Sequence, residues 1–249
     1  VATVVLLVGI LPNIFLMIHR PEDVGLRAFS SRKPSKKKQN TMDKSVEGTE
    51  HNFTRREASR TRTFWILVIF SIFIYPVQAG VSLHQAPHLI ERGISLGVAA
   101  TAVSSFSFMS AVGGLVFGQF ELKFGARKSL SFAAALMAIG TVLMILVVDN
   151  LTAYISAMVF GAGIGGLMTL LPVAWADSFG RQHIGSIRGI TVPLQTLAQA
   201  SGPLISGWLY DLTGGYDAAL RLFCVCSLIA MVMALFAVKP AVRIKKTFR

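Results

Sequence analysis

Apolar residues along this 249-residue chain gather into unbroken blocks instead of the one-sided stripes of a soluble core. Seven blocks stand out, at 1–18, 64–86, 94–117, 129–148, 151–175, 187–209 and 217–238. Each is near the roughly 20 residues that an α-helix needs to cross about 30 Å of hydrocarbon. The pattern predicts an all-α polytopic membrane helix bundle with seven spans. Nothing precedes the first block in the sequence as given, neither Met nor a basic stretch, so the chain reads as a fragment that opens inside a spanning helix.

Composition agrees. With 53% hydrophobic and only 14% charged residues, the chain is too apolar for an ordinary soluble domain. A net charge of +12 would suit nucleic acid, but in a membrane protein Lys and Arg mark the cytoplasmic side. Twelve lie in 19–63, three in 118–128, two in 176–188 and five in the tail after residue 238, leaving only Arg92 and Arg221 on the other face. The expected partner is therefore the lipid bilayer and not nucleic acid. An integral membrane protein of the plasma membrane, with its carboxyl terminus in the cytoplasm, is expected. The segment 19–63 carries a basic run at 32–38, read as a solvated linker. It ends in Thr54-Arg55-Arg56-Glu57, a capping-box pattern that starts a short helix.

A polar side chain inside the bilayer needs a protein partner or a water-filled cavity, so polar content indicates what each span faces. The first, fourth and seventh blocks are dominated by aliphatic residues and read as peripheral. The second, third, fifth and sixth carry Gln, His, Ser, Thr and Gly and read as central. In the sixth, Arg188, Thr191, Gln195, Gln199 and Gly202 recur at steps of three and four along one helix face. Such a stripe either bonds a neighbouring helix or lines a solute cavity, and cavity lining is the expectation adopted. The third block repeats Ala100, Ser104, Ser107, Ala111, Gly114 and Gly118, as close helix packing requires; Ser104 and Ser107 are also candidates for solute contact. The fifth holds Gly161, Gly163, Gly165 and Gly166 before Pro172, a pattern that serves close packing or bending.

The second block places Gln78, His84 and His88 in its outer half. Hydrogen bonding at the extracellular end of the span and proton or solute handling compete for the two histidines. No HExxH or cysteine cluster accompanies them, so no metal is expected. Cys224 and Cys226 lie two apart, on different helix faces, and read as small buried hydrophobes. No nucleophile and base stand at a recognisable spacing, so neither an enzyme nor a cofactor is expected.

Residues Gly118-Gln119-Phe120-Glu121-Leu122-Lys123-Phe124-Gly125-Ala126-Arg127-Lys128 resemble the cytoplasmic loop signature of the major facilitator superfamily. Gly118, Lys123, Gly125 and Arg127 fit that signature. Glu121 stands one place before its acidic position, and Ala126 replaces an Arg. Other stretches resemble the oxalate/formate-exchanger and monocarboxylate-transporter-like members: Arg20 to Leu26, His84-Gln85-Ala86-Pro87-His88-Leu89, Gly185-Ser186-Ile187-Arg188-Gly189, and Ser201 to Gly207 followed by Tyr210 to Tyr216. The resemblance implies helices six to twelve of a twelve-helix fold. Residues 1–18 would end a missing amino-terminal half, 19–63 would be a cytoplasmic linker, 64–238 a six-helix bundle and 239–249 a basic tail. It also implies a secondary transporter of a small solute, such as an organic anion of the monocarboxylate class, working by alternating access. Gly118, Glu121, Lys123, Gly125 and Arg127 would then form a gating loop. A seven-span receptor or sensor is the alternative, disfavoured by that loop and, for a retinal protein, by the absence of a Lys from 217–238.

Overall fold

The computed structural model describes residues 52–237. The first block, the basic run, the Arg20 to Leu26 motif and the tail lie outside the described residues. The chain divides into units Val1–Gly48 and Thr49–Arg249, and every described residue belongs to the second.

All regular structure among the described residues is helical. A short α1 (Arg55–Ala58) starts at Thr54, where the expected capping box forms: the Thr54 hydroxyl takes the Glu57 amide, and the Glu57 carboxylate takes the Thr54 amide at 2.9 Å. Six long helices follow: α2 (Arg62–Glu91), α3 (Leu96–Phe124), α4 (Ala126–Ile145), α5 (Asn150–Phe179), α6 (Ile184–Thr213) and α7 (Asp217–Phe236). Thr61, Ser95 and Asp149 cap α2, α3 and α5 through their side-chain oxygens, as helix amino termini require.

Several helices outrun their predicted blocks. Thirty residues make about 45 Å of helix against about 30 Å of hydrocarbon, so the ends of α2, α5 and α6 pass beyond the apolar slab that hydropathy detects. Five helices, α2, α3, α4, α5 and α7, are long and apolar enough to cross a membrane. α6 matches the longest of them in length, and its polar stripe makes it less apolar.

Contacts run in a row: α3 packs on α5, α5 on α4, α4 on α7, α7 on α2, and α2 on α6. The helices at the ends, α3 and α6, each have one principal partner. The apolar stretch of α3 is 17% buried, whereas that of α5 is 61% buried. The fourth block, expected at the periphery, is well enclosed within this unit as α4, with one open apolar face bearing Phe132, Ile139, Val142 and Leu146.

The glycines of α5 serve close packing. A Cβ at Gly161 would fall 2.4 Å from the Phe106 carbonyl oxygen of α3, and one at Gly163 would fall 2.7 Å from the Met137 side chain of α4. The small stripe of α3 is corrected in part: Ala100, Ser104, Ser107 and Ala111 are exposed, whereas Gly114 does pack on α5, where an added Cβ would fall 3.1 Å from Thr169 Oγ1, and Phe106, Ser110 and Gly113 form the rest of that seam. Small residues recur on both faces of α3, and spacing alone does not say which one meets a neighbour. Cys224 and Cys226 are free thiols, half-buried in α7.

The segment that leads into α1 is docked on the end of α5. The Phe53 amide donates to the Phe179 carbonyl at 3.0 Å, the Asn52 side-chain oxygen accepts the Gln182 amide at 3.2 Å, and Phe53, Phe64, Trp175 and Phe179 meet edge to face or tilted. Gly180 turns the chain between α5 and α6 with φ +79°, where any side chain would strain the backbone.

Asp149 gives a pH prediction. Its carboxylate accepts the Thr152 amide at 2.8 Å and the Thr152 hydroxyl at 2.7 Å, and these bonds hold its pKa below the ordinary carboxylate value. A depressed folded pKa means that the cap's contribution is complete above the unfolded value and is lost as pH falls through the folded one. Thermal unfolding followed below about pH 4 should show this acid loss in the native chain, and a shallower one in Asp149→Asn, which caps without a charge.

Candidate functional site

The polar stripe of α6 faces α2. Thr191 and Gln195 are 1% and 5% exposed. Gln195 Nε2 donates to Ser71 Oγ at 3.2 Å, and Gln199 Nε2 donates to Gln78 Oε1 at 2.9 Å. Beside them Gly202 lies so close to Pro76 that a Cβ would fall 2.1 Å from the Pro76 carbonyl oxygen. Within this unit the stripe is thus a hydrogen-bonded helix seam and not an open lining, which corrects the expectation for Thr191 and Gln195. An amide satisfied by a neighbouring helix and an amide facing water look alike in sequence.

Arg188 stands apart from the rest of the stripe. It is half-buried one turn before Thr191, its charge acts on the Tyr75 hydroxyl of α2, and among the described residues it pairs with no carboxylate. Ser104 and Ser107 sit on the open face of α3, their hydroxyls donating to Ala100 O at 3.2 Å and Val103 O at 3.0 Å, so their lone pairs stay available.

Toward the Glu91 end of α2, His84 Nδ1 donates to Gly80 O at 3.0 Å, and its ring centroid lies 5.2 Å from that of Tyr216. His88 is buried, with Nε2 donating to Met144 O of α4 at 2.9 Å and its ring edge-on to Tyr216. The two histidines therefore contact one tyrosine but bond different helices. Among the described residues no cluster of three His, Cys, Asp or Glu suits a metal ion.

Sequence reasoning missed a cleft of about 550 Å³ at this end, lined by Glu91, Arg92, Thr213, Tyr216, Asp217 and Arg221. The signal was present: Arg92 and Arg221 are the two basic residues that fall off the basic side, and the fold brings them together. Burial, with Tyr210 and Glu91 nearby, pushes the Tyr216 phenol up, so it remains an O–H donor. Arg92 and Asp217 pair at 2.6 Å across α2 and α7, with 31% and 43% of their side chains exposed. Exposed pairs contribute about 0–1 kcal/mol. Asp217→Asn should therefore cost under about 1 kcal/mol in thermal unfolding, a difference that shrinks in high salt.

The expected gating loop is almost entirely helical. Gly118, Glu121 and Lys123 belong to α3, Arg127 belongs to α4, and Gly125 alone turns between them with φ +81°. Nothing before Gly125 breaks the helix, so what reads as an eleven-residue loop is a one-residue hinge. Lys123 and Arg127 are exposed beside it.

The sequence model of the Major Facilitator Superfamily matches residues 80–249. Among curated relatives, Monocarboxylate transporter 12 of Rattus norvegicus is 27% identical over 188 residues, covering 74% of this chain and 38% of that protein. Monocarboxylate transporter 14 of Homo sapiens is 33% identical over 107 residues, 41% of this chain and 20% of that protein. Aspyridones efflux protein apdF of Emericella nidulans is 29% identical, covering 66% and 32%. The chain thus spans between a fifth and two fifths of the length of these relatives. The crystal structure of the Major Facilitator Superfamily transporter FucP in the outward conformation shares the fold, with a TM-score of 0.65 at 13% identity, over 74% of this chain and 44% of that one. The chain is a membrane-embedded, all-helical member of the Major Facilitator Superfamily of transporters.

Proposed function

We propose that the chain forms one wall of a secondary transporter for a small organic anion of the monocarboxylate class. It works by alternating access against a second helical bundle of the same protein. The observation that carries this reading is Arg188. Arg188 stands half-buried near one end of α6 with no carboxylate partner among the described residues, and a solute carboxylate held by its two-pronged donor face would supply that partner. The monocarboxylate transporters among its relatives support the same substrate class, and the efflux protein supports transport alone.

In this reading the open faces of α3 and α6 border the solute path. Ser104 and Ser107 are polar residues on an exposed membrane helix face, where lipid would not favour them. The hinge at Gly125, with Lys123 and Arg127 beside it and Gly118 and Glu121 on the last turns of α3, is the gating contact with the second bundle. That turn and the carboxyl terminus face the cytoplasm, and the Glu91 end of α2 faces outward, in the plasma membrane. A receptor or sensor is the reading set aside.

The test is uptake by the complete protein in proteoliposomes, using labelled monocarboxylates, dicarboxylates and neutral solutes with and without a pH gradient. Saturable monocarboxylate uptake is expected. Uptake of neutral solutes alone would remove the anion assignment, and uptake of none would remove the transport assignment for this panel.

A further inference from the structure

Positive charge concentrates where the chain enters α2. Arg55, Arg56, Arg60 and Arg62 fall within eight residues, all four are exposed, and among the described residues none pairs with a carboxylate. Their segment is held in place. Phe53 bonds the end of α5, Asn52 bonds the turn after it, Ala58 is buried, and the Glu57 carboxylate is taken up by the Thr54 amide and hydroxyl. The Asn52 contact also brings the segment next to Arg181, exposed on that turn: a Cβ at neighbouring Gly180 would fall 2.4 Å from Asn52 Oδ1. Around the segment stand five arginines and two carboxylates, Glu57 and Asp177, which leaves it positive.

The adjoining face of α2 shows what this charge meets. Arg62, Trp65, Ile69 and Ile72 are exposed at steps of three and four, on one helix face. Away from the amino terminus, that face passes from a cation through an amphipathic ring to aliphatic side chains. Headgroup, interface and hydrocarbon follow one another in this order within a leaflet, and tryptophan prefers the middle level. A face turned to an aqueous path has no reason to become aliphatic two turns below its arginine. Trp65 is 55% exposed, its indole N–H donates to the Ser59 carbonyl at 3.0 Å, and its ring lies edge-on to the buried Phe64. That bond ties the ring to the segment that carries Arg55, Arg56 and Arg60. Arg62 lies about 4.5 Å beyond Trp65 along the helix axis, at the level of the headgroups.

We infer that the arginines around the start of α2 bind the headgroups of anionic phospholipids in the leaflet at that end of the bundle. A guanidinium offers a phosphate two parallel donors. Each cation near an anionic surface strengthens attachment about fivefold. Neither a transported solute nor a named side of the membrane enters, so this binding stands or falls apart from the anion assignment.

The test is fluorescence quenching of the complete protein in phosphatidylcholine vesicles that contain brominated phosphatidylglycerol or, at the same mole fraction, brominated phosphatidylcholine. The Trp65 signal is the difference from Trp65→Phe. Trp208, exposed toward the other end of α6, is read from Trp208→Phe as the control. Brominated phosphatidylglycerol should be preferred at Trp65 by about fivefold or more, whereas Trp208 should not distinguish the two lipids. The preference should vanish in the Arg55→Gln, Arg56→Gln, Arg60→Gln, Arg62→Gln variant. It should persist in Arg55→Lys, Arg56→Lys, Arg60→Lys, Arg62→Lys, because a headgroup surface responds to charge. Equal quenching of native Trp65 by the two lipids would overturn the inference, as would a preference that survives the four glutamines. A Trp65 that neither lipid quenches would mean that protein covers this face, and would overturn it equally. Loss of the preference in inorganic phosphate, but not in chloride of equal ionic strength, would replace the lipid surface with a phosphate site.

Discussion

Alanine at Gly165 is expected to unseat α3 from α5 and lower the unfolding temperature more than any other single-methyl change in the described bundle. The added Cβ would fall 1.9 Å from the Ser110 carbonyl oxygen and 2.6 Å from the Gly114 nitrogen. Both are backbone atoms of a rigid helix, so no rotamer change relieves the clash. α3 must move away, and contact is lost along the whole seam, including the approach of Gly161 to Phe106. Overpacking typically costs about 1–3 kcal/mol, and the larger end applies where backbone has to shift. Intrinsic helix propensity works the other way, favouring Ala over Gly by about 0.8–1.0 kcal/mol, so the clash decides the sign. Gly189 of α6 is the control: nothing lies within 4 Å of its added Cβ. Gly189→Ala should leave stability unchanged or raise it by about 0.5–1 kcal/mol. Thermal unfolding of purified protein in detergent separates the two, and equal melting temperatures would mean that the α3–α5 seam is looser than described.

The second large effect is on transport. Arg188→Gln should reduce saturable monocarboxylate uptake by about 10- to 150-fold, the equivalent of one charged hydrogen bond of about 1.5–3 kcal/mol, with the protein still folded. Arg188→Lys should restore part of the loss, because a point charge replaces a planar two-pronged donor. Gln195→Ala should behave differently. Its amide bonds Ser71 inside the α2–α6 seam, and membrane interhelical bonds average about 0.6 kcal/mol, so a small loss of stability with uptake retained is expected. Uptake abolished by Gln195→Ala and untouched by Arg188→Gln would reverse the two assignments.

The spans were legible because bilayer thickness imposes a length that hydropathy detects. The close packing of α5 was legible to the extent that four glycines and a proline leave only two explanations. The facing of a helix was not. Periodicity placed Thr191, Gln195 and Gln199 on one face of α6, but whether that face meets Ser71 and Gln78 or water depends on residues more than a hundred positions away. The α3 stripe was misjudged in the opposite sense for the same reason: Ala100, Ser104, Ser107 and Ala111 are open, and of the residues expected to pack Gly114 meets α5. Helix ends were misplaced where polar residues continue a helix beyond the hydrocarbon, as at Gly118 to Phe124. The cleft around Arg92 and Arg221 needed the third dimension, since its residues come from the end of α2, the end of α6, α7 and the turn between α6 and α7.

The most direct test of the claim that α3 borders an aqueous solute path is cysteine accessibility in the complete protein, with Cys224 and Cys226 replaced by alanine. Ser104→Cys and Ser107→Cys should react with a membrane-impermeant maleimide in proteoliposomes, and a transported monocarboxylate should slow both reactions. Gln195→Cys and Ser206→Cys, buried between α6 and its neighbours, should stay unreactive. Gln195→Cys reacting as fast as Ser104→Cys, or α3 positions that are inert and unprotected by any solute, would contradict the account.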